Sequence, residues 1–415
     1  MTDNLETSLT AELAAAARHA PRPAHDLLAR VEEEHRRRRR NGVAGLAAAA
    51  SVVLLTAGAP LVIDAARGTP VATPPPTAAA TERPAQQADP VFPPIEKVWP
   101  GAVHVAPALL PNGRPFRPEA FLDDRTVLVR TEKGGHADKM DGLWAYDVKA
   151  RTARLLVQVT PPPKTVVTAS SVLADRDRLY WWTVRKQGSK RIVDIWTAPR
   201  KGGAQSRLTT FEGVPGYGGI DLEIVGDKAV WTLWGKGGVY ELPLSGGKPR
   251  LLPGTSGYTL IGWPWAATPR YDPQQYDPDQ RDLRQRVDEL VVFGDLLNIE
   301  TGKRSTAAVK PFATCGISWC VKGDTLEGRE GGTRDLPGNP VPDPLALDRF
   351  LTLSQQDKDG KSRGQVLYDA TTRRAGDLGL RPSQNASASL DYRSNGLFWY
   401  ARDGKQVIVN LDAIR

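Results

Sequence analysis

Residues 194–209 read DIWTAPRKGGAQSRLT, and the spacing inside this stretch sets the architecture of what surrounds it. Trp196 follows Ile195, Gly202-Gly203 begins six positions after Trp196, and Leu208 lies twelve positions after it. Residues 239–254, VYELPLSGGKPRLLPG, repeat this in register through Tyr240, Gly246-Gly247 and Leu252. Each copy reads as a strand of alternating apolar and polar residues, a two-glycine reversal, and a second strand ending on leucine.

The same frame extends in both directions. Trp144 has Leu156 twelve residues on and Val366 has Leu378 twelve on, while fainter copies start at Thr325 (with Gly331-Gly332), Asp295 and Val407. The seven anchors are 52, 44, 55, 30, 41 and 41 residues apart, a period the size of one propeller blade. Aromatic strands precede several anchors, LYWWT at 179–183, AVWTL at 229–233 and LFWY at 397–400. Turn residues lead into them: DRDR at 175–178, Gly226-Asp227-Lys228 and Ser394-Asn395-Gly396.

An all-β propeller suits such a chain because radial repetition leaves few unprotected sheet edges. Seven blades are expected. Six is the alternative, since the 30-residue interval between Asp295 and Thr325 is short for four strands. The chain ends eight residues after Val407, so residues 98–106 are expected to supply the last blade's missing strand.

The run Ile195-Trp196-Thr197, Gly202-Gly203, Arg207-Leu208-Thr209 resembles the blade ending of TolB-like and WD40-like propellers, with an aromatic strand, a Gly-Gly turn and an Arg-Leu-Thr close. The whole chain is similar to actinobacterial single-pass proteins that carry an Arg-rich stub, an Ala-rich span and an exported propeller. By motif the likeness rests on the second and third blades. It implies protein interaction or envelope sensing, and it carries over no catalytic residue.

A membrane anchor is expected ahead of the propeller. Residues 41–63 contain no charged side chain, and the run 42–63, GVAGLAAAASVVLLTAGAPLVI, is long enough as a helix (about 33 Å) to cross a bilayer. Arg36, Arg37, Arg38, Arg39 and Arg40 stand just before it and Arg67 alone follows closely, which places the N-terminus in the cytoplasm. The expected order is a short helical cytoplasmic stub (1–40), a transmembrane helix (41–64), a Pro/Ala/Thr-rich linker (65–94) and an extracytoplasmic propeller (95–415). The stub's small apolar faces, Leu5, Leu9, Leu13 and Leu27, Leu28, Val31, read as a solvated tail or as a segment that folds on a cytosolic partner. A sigma-factor-associated subtype rests on analogy alone, because no zinc anti-sigma motif is present.

Composition excludes several chemistries. The 55 Lys+Arg and 47 Asp+Glu give a formal charge of +8, with no basic stripe carrying interleaved aromatics, so nucleic acid is not an expected partner. Only His104 and His136 lie beyond the apolar run; His104 reads as a strand residue and His136 as a loop residue. No nucleophile elbow, zincin or phosphate-loop motif is present. No catalytic residue, cofactor or metal is therefore expected, and the chain reads as not an enzyme. Asp357, Asp359 and Gly360 form a fragment of a calcium loop that reads better as a hairpin turn.

Two features remain as candidate sites. Tyr271, Asp272, Tyr276, Asp277, Asp279 and Arg281 lie in an insertion between blade strands and form the most plausible recognition loop. Cys315 and Cys320 face an oxidising compartment on this topology, and a disulfide between them requires a chain reversal at residues 316–319, since a straight strand would hold their Cα atoms about 17 Å apart. The expected function is a membrane-anchored protein-interaction or envelope-sensing module with a protein partner. The alternatives are a cell-wall polysaccharide-binding or -cleaving propeller, and a purely structural interaction protein. Acids clustered at the ring's mouth would mark the polysaccharide reading, with Asp221, Glu223, Asp124 and Asp391 the residues to map.

Overall fold

Alternation becomes pairing most fully in the second blade. Arg178–Gln187 and Lys190–Pro199 run antiparallel over their whole lengths, with Trp181 opposite Trp196. Asp175 makes the turn into this hairpin: its side chain accepts the Asp177 and Arg178 backbone N–H groups, both at 2.7 Å. Thr165–Thr168 lies on one side, Ser206–Glu212 on the other, and a two-residue strand Leu173–Ala174 also pairs with Arg178–Gln187.

The computed structural model describes residues 92–415 except 136–138, 169–170, 214–218, 234–236, 269–290, 310–312, 342, 358, 382–387, 389, 392 and 394. The described strands form seven antiparallel sheets, and the protein is an all-β, seven-bladed propeller. Blade one comprises Phe116–Phe121, Thr126–Glu132, Met140–Asp147 and Thr152–Gln158. Blade three comprises Ile220–Val225, Lys228–Leu233, Val239–Pro243 and Arg250–Leu251. Blade four comprises Thr259–Gly262, Trp265–Ala267, Asp295–Asn298 and Arg304–Thr306. Blade five comprises Thr314–Cys315, Trp319–Lys322, Thr325–Gly328 and Thr333–Asp335. Blade six comprises Asn339–Pro340, Phe350–Gln356, Ser362–Asp369 and Arg374–Asp377.

Blade seven closes the ring. Leu397–Arg402 pairs with Lys405–Asn410, and the outer partner of the latter is Val103–Pro107 from the other end of the propeller sequence, with Val105 opposite Val407. A short helix, Ile95–Val98, leads into that strand and lies on blade six. Arg374 donates to the Val98 carbonyl (2.7 Å), and Asp377 N–H donates to the Pro93 carbonyl (2.9 Å). Gly376 permits this approach, since a Cβ there would meet the Ile95 Cα at 2.9 Å. The N-terminal segment thus fastens blades six and seven together.

Six of the seven anchors fall on the third strand of their blade, and Val407 falls on the middle one of the three described strands of blade seven. The short interval before Thr325 reflects blade five's strands of two to four residues, which settles the count at seven rather than six. The long interval before Asp295 reflects residues 269–290, between the second and third strands of blade four.

The core is distributed between blades, because each sheet buries both faces against its neighbours. Tyr180, Trp182 and Ile195 of blade two pack with Leu222, Trp231 and Leu242 of blade three; Leu143 and Leu156 of blade one pack with Leu179 and Trp181 of blade two. Arginines tie neighbours through backbone carbonyls: Arg334 to Ala370, Arg349 to Ile414 (2.9 Å) and Arg402 to Leu378 (3.0 Å). The largest such staple is Arg329 of blade five, 6% exposed, which donates to Gly316 (2.7 Å) and to Gly294 (2.7 Å) and Phe293 (2.5 Å) beside blade four.

The expected stub, the transmembrane helix, residues Arg36 to Arg40 and the linker up to residue 91 lie outside the described residues. Among the described residues no helix is long and apolar enough to cross a membrane.

Candidate functional site

The first strand of each blade lines the axis of the ring, and its polar residues are the ones that can meet across it. Asp221 sits on the first strand of blade three, where Ile220 and Leu222 on the alternate face are buried toward blade two. The Arg393 guanidinium lies 2.5 Å from the Asp221 carboxylate and 3.0 Å from that of Asp391. Arg393 precedes the Leu397–Arg402 strand of blade seven. Blades three and seven are separated by two blades on one side and three on the other, so this bridge spans the channel.

Glu223, two residues along from Asp221, accepts the Trp263 backbone N–H of blade four (3.0 Å). Burial raises its pKa, the Trp263 N–H opposes the rise, and the negative charge of Asp221 adds to it. Asp221, Glu223 and Asp391 are therefore gathered at the axis, as a mouth lined by acids requires. Asp124 is elsewhere, in a groove between blades seven and one with His104, Lys149 and Asp412. There His104 rests against the Phe121 ring (5.7 Å between centroids), and burial together with Lys149 holds its pKa below the ordinary histidine range.

A second cluster on blade one has no counterpart in the sequence reading. Arg130 Nε lies 3.1 Å from Glu119 and 3.2 Å from Glu132, and Arg117 approaches Glu132 at 3.0 Å. Glu119 also accepts the Val172 N–H of blade two (2.8 Å). Its burial outweighs the pull of Arg130 and of that N–H, and pushes the pKa up to about 7. The only signal available in sequence is a charge placed inside an alternating strand, FRPEAF, which marks an unusual position without naming its partner. Arg393 was likewise invisible, because its partner Asp221 is 172 residues away.

Chemically, the axis places Glu223, whose pKa burial raises, beside Asp221, which Arg393 holds. A buried carboxyl with a raised pKa beside a second acid is an arrangement that acid–base work can use. It is equally an arrangement that recognises a polar ligand entering the channel. Among the described residues, no group of three or more His, Cys, Asp or Glu side chains is placed to hold a metal ion.

The remaining sequence candidates separate clearly. Tyr271, Asp272, Tyr276, Asp277, Asp279, Arg281 and His136 lie outside the described residues. Asp357 accepts the backbone N–H groups of Asp359 and Lys361, both at 2.9 Å, in a hairpin turn completed by Gly360 at φ 74°. Cys315 and Cys320 stand opposite each other on the first two strands of blade five, Cα atoms 3.8 Å apart, and are joined as a disulfide. The reversal between them is closed by Gly316 N–H donating to the Trp319 carbonyl (2.6 Å).

No family model and no curated relative matches this chain. Solved propeller structures do. TolB from Acinetobacter baumannii is similar at TM-score 0.33 and 11% identity, over 67% of this chain and 63% of that one. The acylaminoacyl peptidase of Pyrococcus horikoshii gives 0.40 and 11%, over 70% and 49%, and a prolyl endopeptidase 0.27 and 13%, over 64% and 34%. This chain thus spans from about a third to just under two thirds of the proteins it matches. Two of these three proteins are peptidases, which overturns the expectation that the chain is not an enzyme: the fold is a scaffold, and chemistry belongs to the site built on it. The likeness to TolB and to both peptidases is one of fold, and the count of seven blades comes from this chain's own sheets.

Proposed function

We propose that this chain is a membrane-anchored, extracytoplasmic propeller that acts as a protein-interaction or envelope-sensing module, with the N-terminal stub relaying to a cytosolic protein. The observation that carries the reading is the disulfide between the chain's two cysteines, a bond that persists in oxidising compartments, on a chain whose residues 41–63 are free of charge and follow five arginines. Both cysteines are fully buried, so the bond belongs to the folded ring. Recognition falls to loops on one rim of the ring, with the tract of Tyr271, Tyr276 and Arg281 the candidate that the sequence offers.

Paired C-terminal reporters test the topology: a phosphatase active only outside the cytoplasm should be active, and a fluorescent protein that matures only in the cytosol should stay dark. The reverse pattern refutes the reading. Crosslinking in intact membranes, run separately with the stub and with the propeller as bait, tests the relay. A specific cytosolic protein captured by the stub supports it, and capture by the propeller alone refutes it.

A second reading, polysaccharide binding or cleavage, is favoured by the gathering of Asp221, Glu223 and Asp391 at the axis. Release of reducing ends from purified wall polymer, abolished in Glu223→Gln, would favour cleavage. Retention on the polymer without release would favour binding.

A further inference from the structure

The strand that closes blade seven also ends it. Among the described residues Val103–Pro107 pairs only with Lys405–Asn410, so its other edge carries no strand. Asn410 N–H donates to the Ala102 carbonyl (2.8 Å), and the unbroken register that follows turns the backbone groups of His104 and Ala106 the same way. Those of Val103 and Val105 therefore face outward. A groove of about 800 Å³ lies along this edge, bounded by the Arg402–Lys405 hairpin and by Arg151 of blade one.

The wall of the groove is apolar and uncovered. Val105 is 37% exposed and Leu109 48%, while Ala106, on the alternate face of the strand, is buried in one cluster with Phe116 and Tyr146 of blade one. Its cations are open as well. Among the described residues neither Arg151 nor Lys405 makes an ion pair. Arg402 is committed to Glu96 and to the Leu378 carbonyl, and with that charge neutralised Arg151 and Lys405 outnumber the one lining acid, Asp403.

We propose that this edge docks an extended segment of a partner protein in which apolar residues alternate with acidic ones, added to blade seven as a further strand. The proposal rests on the reading of the chain as a protein-interaction module and gives that module one docking face. Strand addition uses the outward N–H groups of Val103 and Val105 and the carbonyls beside them. Alternation follows from the pleat: side chains on one face of the added strand meet Val105, and those on the other turn toward blade one and Arg151. Pro107, which has no N–H, ends the docking run. A second copy of this chain is a poor occupant, because pairing edge to edge would bring the same cations together.

Fluorescence anisotropy of labelled hexapeptides, titrated with the full chain in maltoside micelles, tests the assignment. A peptide alternating valine with glutamate should bind, and its counterpart with lysine in place of glutamate should not. Of two N-methylated forms, one on the valines and one on the glutamates, only one should bind, because alternate N–H groups face the edge. Arg151→Gly, at a turn position whose φ of 56° suits glycine, and Lys405→Gln should each weaken binding about fivefold with the melting temperature held. Hydrogen exchange at Val103 and Val105 should slow when the peptide is bound. No binding of the glutamate peptide, equal binding of the lysine peptide, indifference to both substitutions or to both methylations, or unchanged exchange at Val103 and Val105 would each overturn the proposal, as would a peptide-free dimer held through this edge. None of these outcomes alters the reporter pattern or the stub's crosslinks, on which the tether and the relay stand.

Discussion

Arg329 offers the sharpest test of how the ring is held shut. Its guanidinium donates to three buried carbonyls, those of Gly316, Gly294 and Phe293, and joins blade five to blade four. Burial lowers its pKa, while Asp348 and Asp295 nearby favour the cation. Arg329→Met keeps much of the aliphatic stem and removes every donor. Each hydrogen bond to a charged group contributes about 1.5–3 kcal/mol, and part of the three-bond total is returned because a cation no longer has to be buried. The expected net loss is about 3–5 kcal/mol. Arg329→Lys keeps the charge but presents one compact ammonium that cannot address three carbonyls on two blades, so it should recover less than half of the loss. Urea unfolding of the full chain reads the total, and hydrogen exchange localises it, with faster exchange expected around Gly294 and Gly316. A loss below about 1 kcal/mol, or full rescue by lysine, would refute the staple.

Other consequences are equally open to measurement. Ile95 is fully buried between blades six and seven, so Ile95→Ala should destabilise the chain by about 2–5 kcal/mol, and limited proteolysis should then cut first near residues 99–108. Glu119 has a pKa of about 7 against an ordinary 4.5; the folded state holds this proton more tightly, so its contribution is full below about pH 4.5 and is lost as pH rises through 7, at most ~3 kcal/mol. Glu119→Gln should flatten the stability profile in that window, and an unchanged slope would count against the assignment. Trp144 and Trp196 donate to Thr131 and Thr183, each thirteen residues earlier, at 3.1 and 2.9 Å. Thr183→Val should cost about 1 kcal/mol by urea unfolding through the orphaned indole N–H, and no loss would show that the bond is not made in solution.

Those two tryptophan contacts show what could be read without a structure. The anchors recur because six of them occupy the third strand of a blade, where an aromatic, a turn and a leucine are local requirements of a hairpin. Local requirements repeat, so a periodic sequence discloses strand order and narrows the ring to six or seven blades, and the structure decides for seven. Closure by the N-terminal segment was legible too, because a last blade ending at Val407 was short of a strand. The length of the insertion in blade four could also be counted, though not the geometry of Tyr271 and its neighbours.

The charged groups at the axis obey no such period. Asp221 meets Arg393 from a non-adjacent blade, Glu119 draws on the Val172 N–H of the next, and Phe92 shares a pocket with Arg363. Each pairing depends on how seven twisted sheets are disposed around one axis, a property of the closed ring rather than of any segment. Sequence alone determined the repeat, the strands and the ring, because hydrogen-bonded hairpins are specified by neighbours along the chain. Only the tertiary structure decided which acids share the channel, which arginine neutralises them and where a cavity opens, because those depend on residues brought together by burial from far apart in the chain.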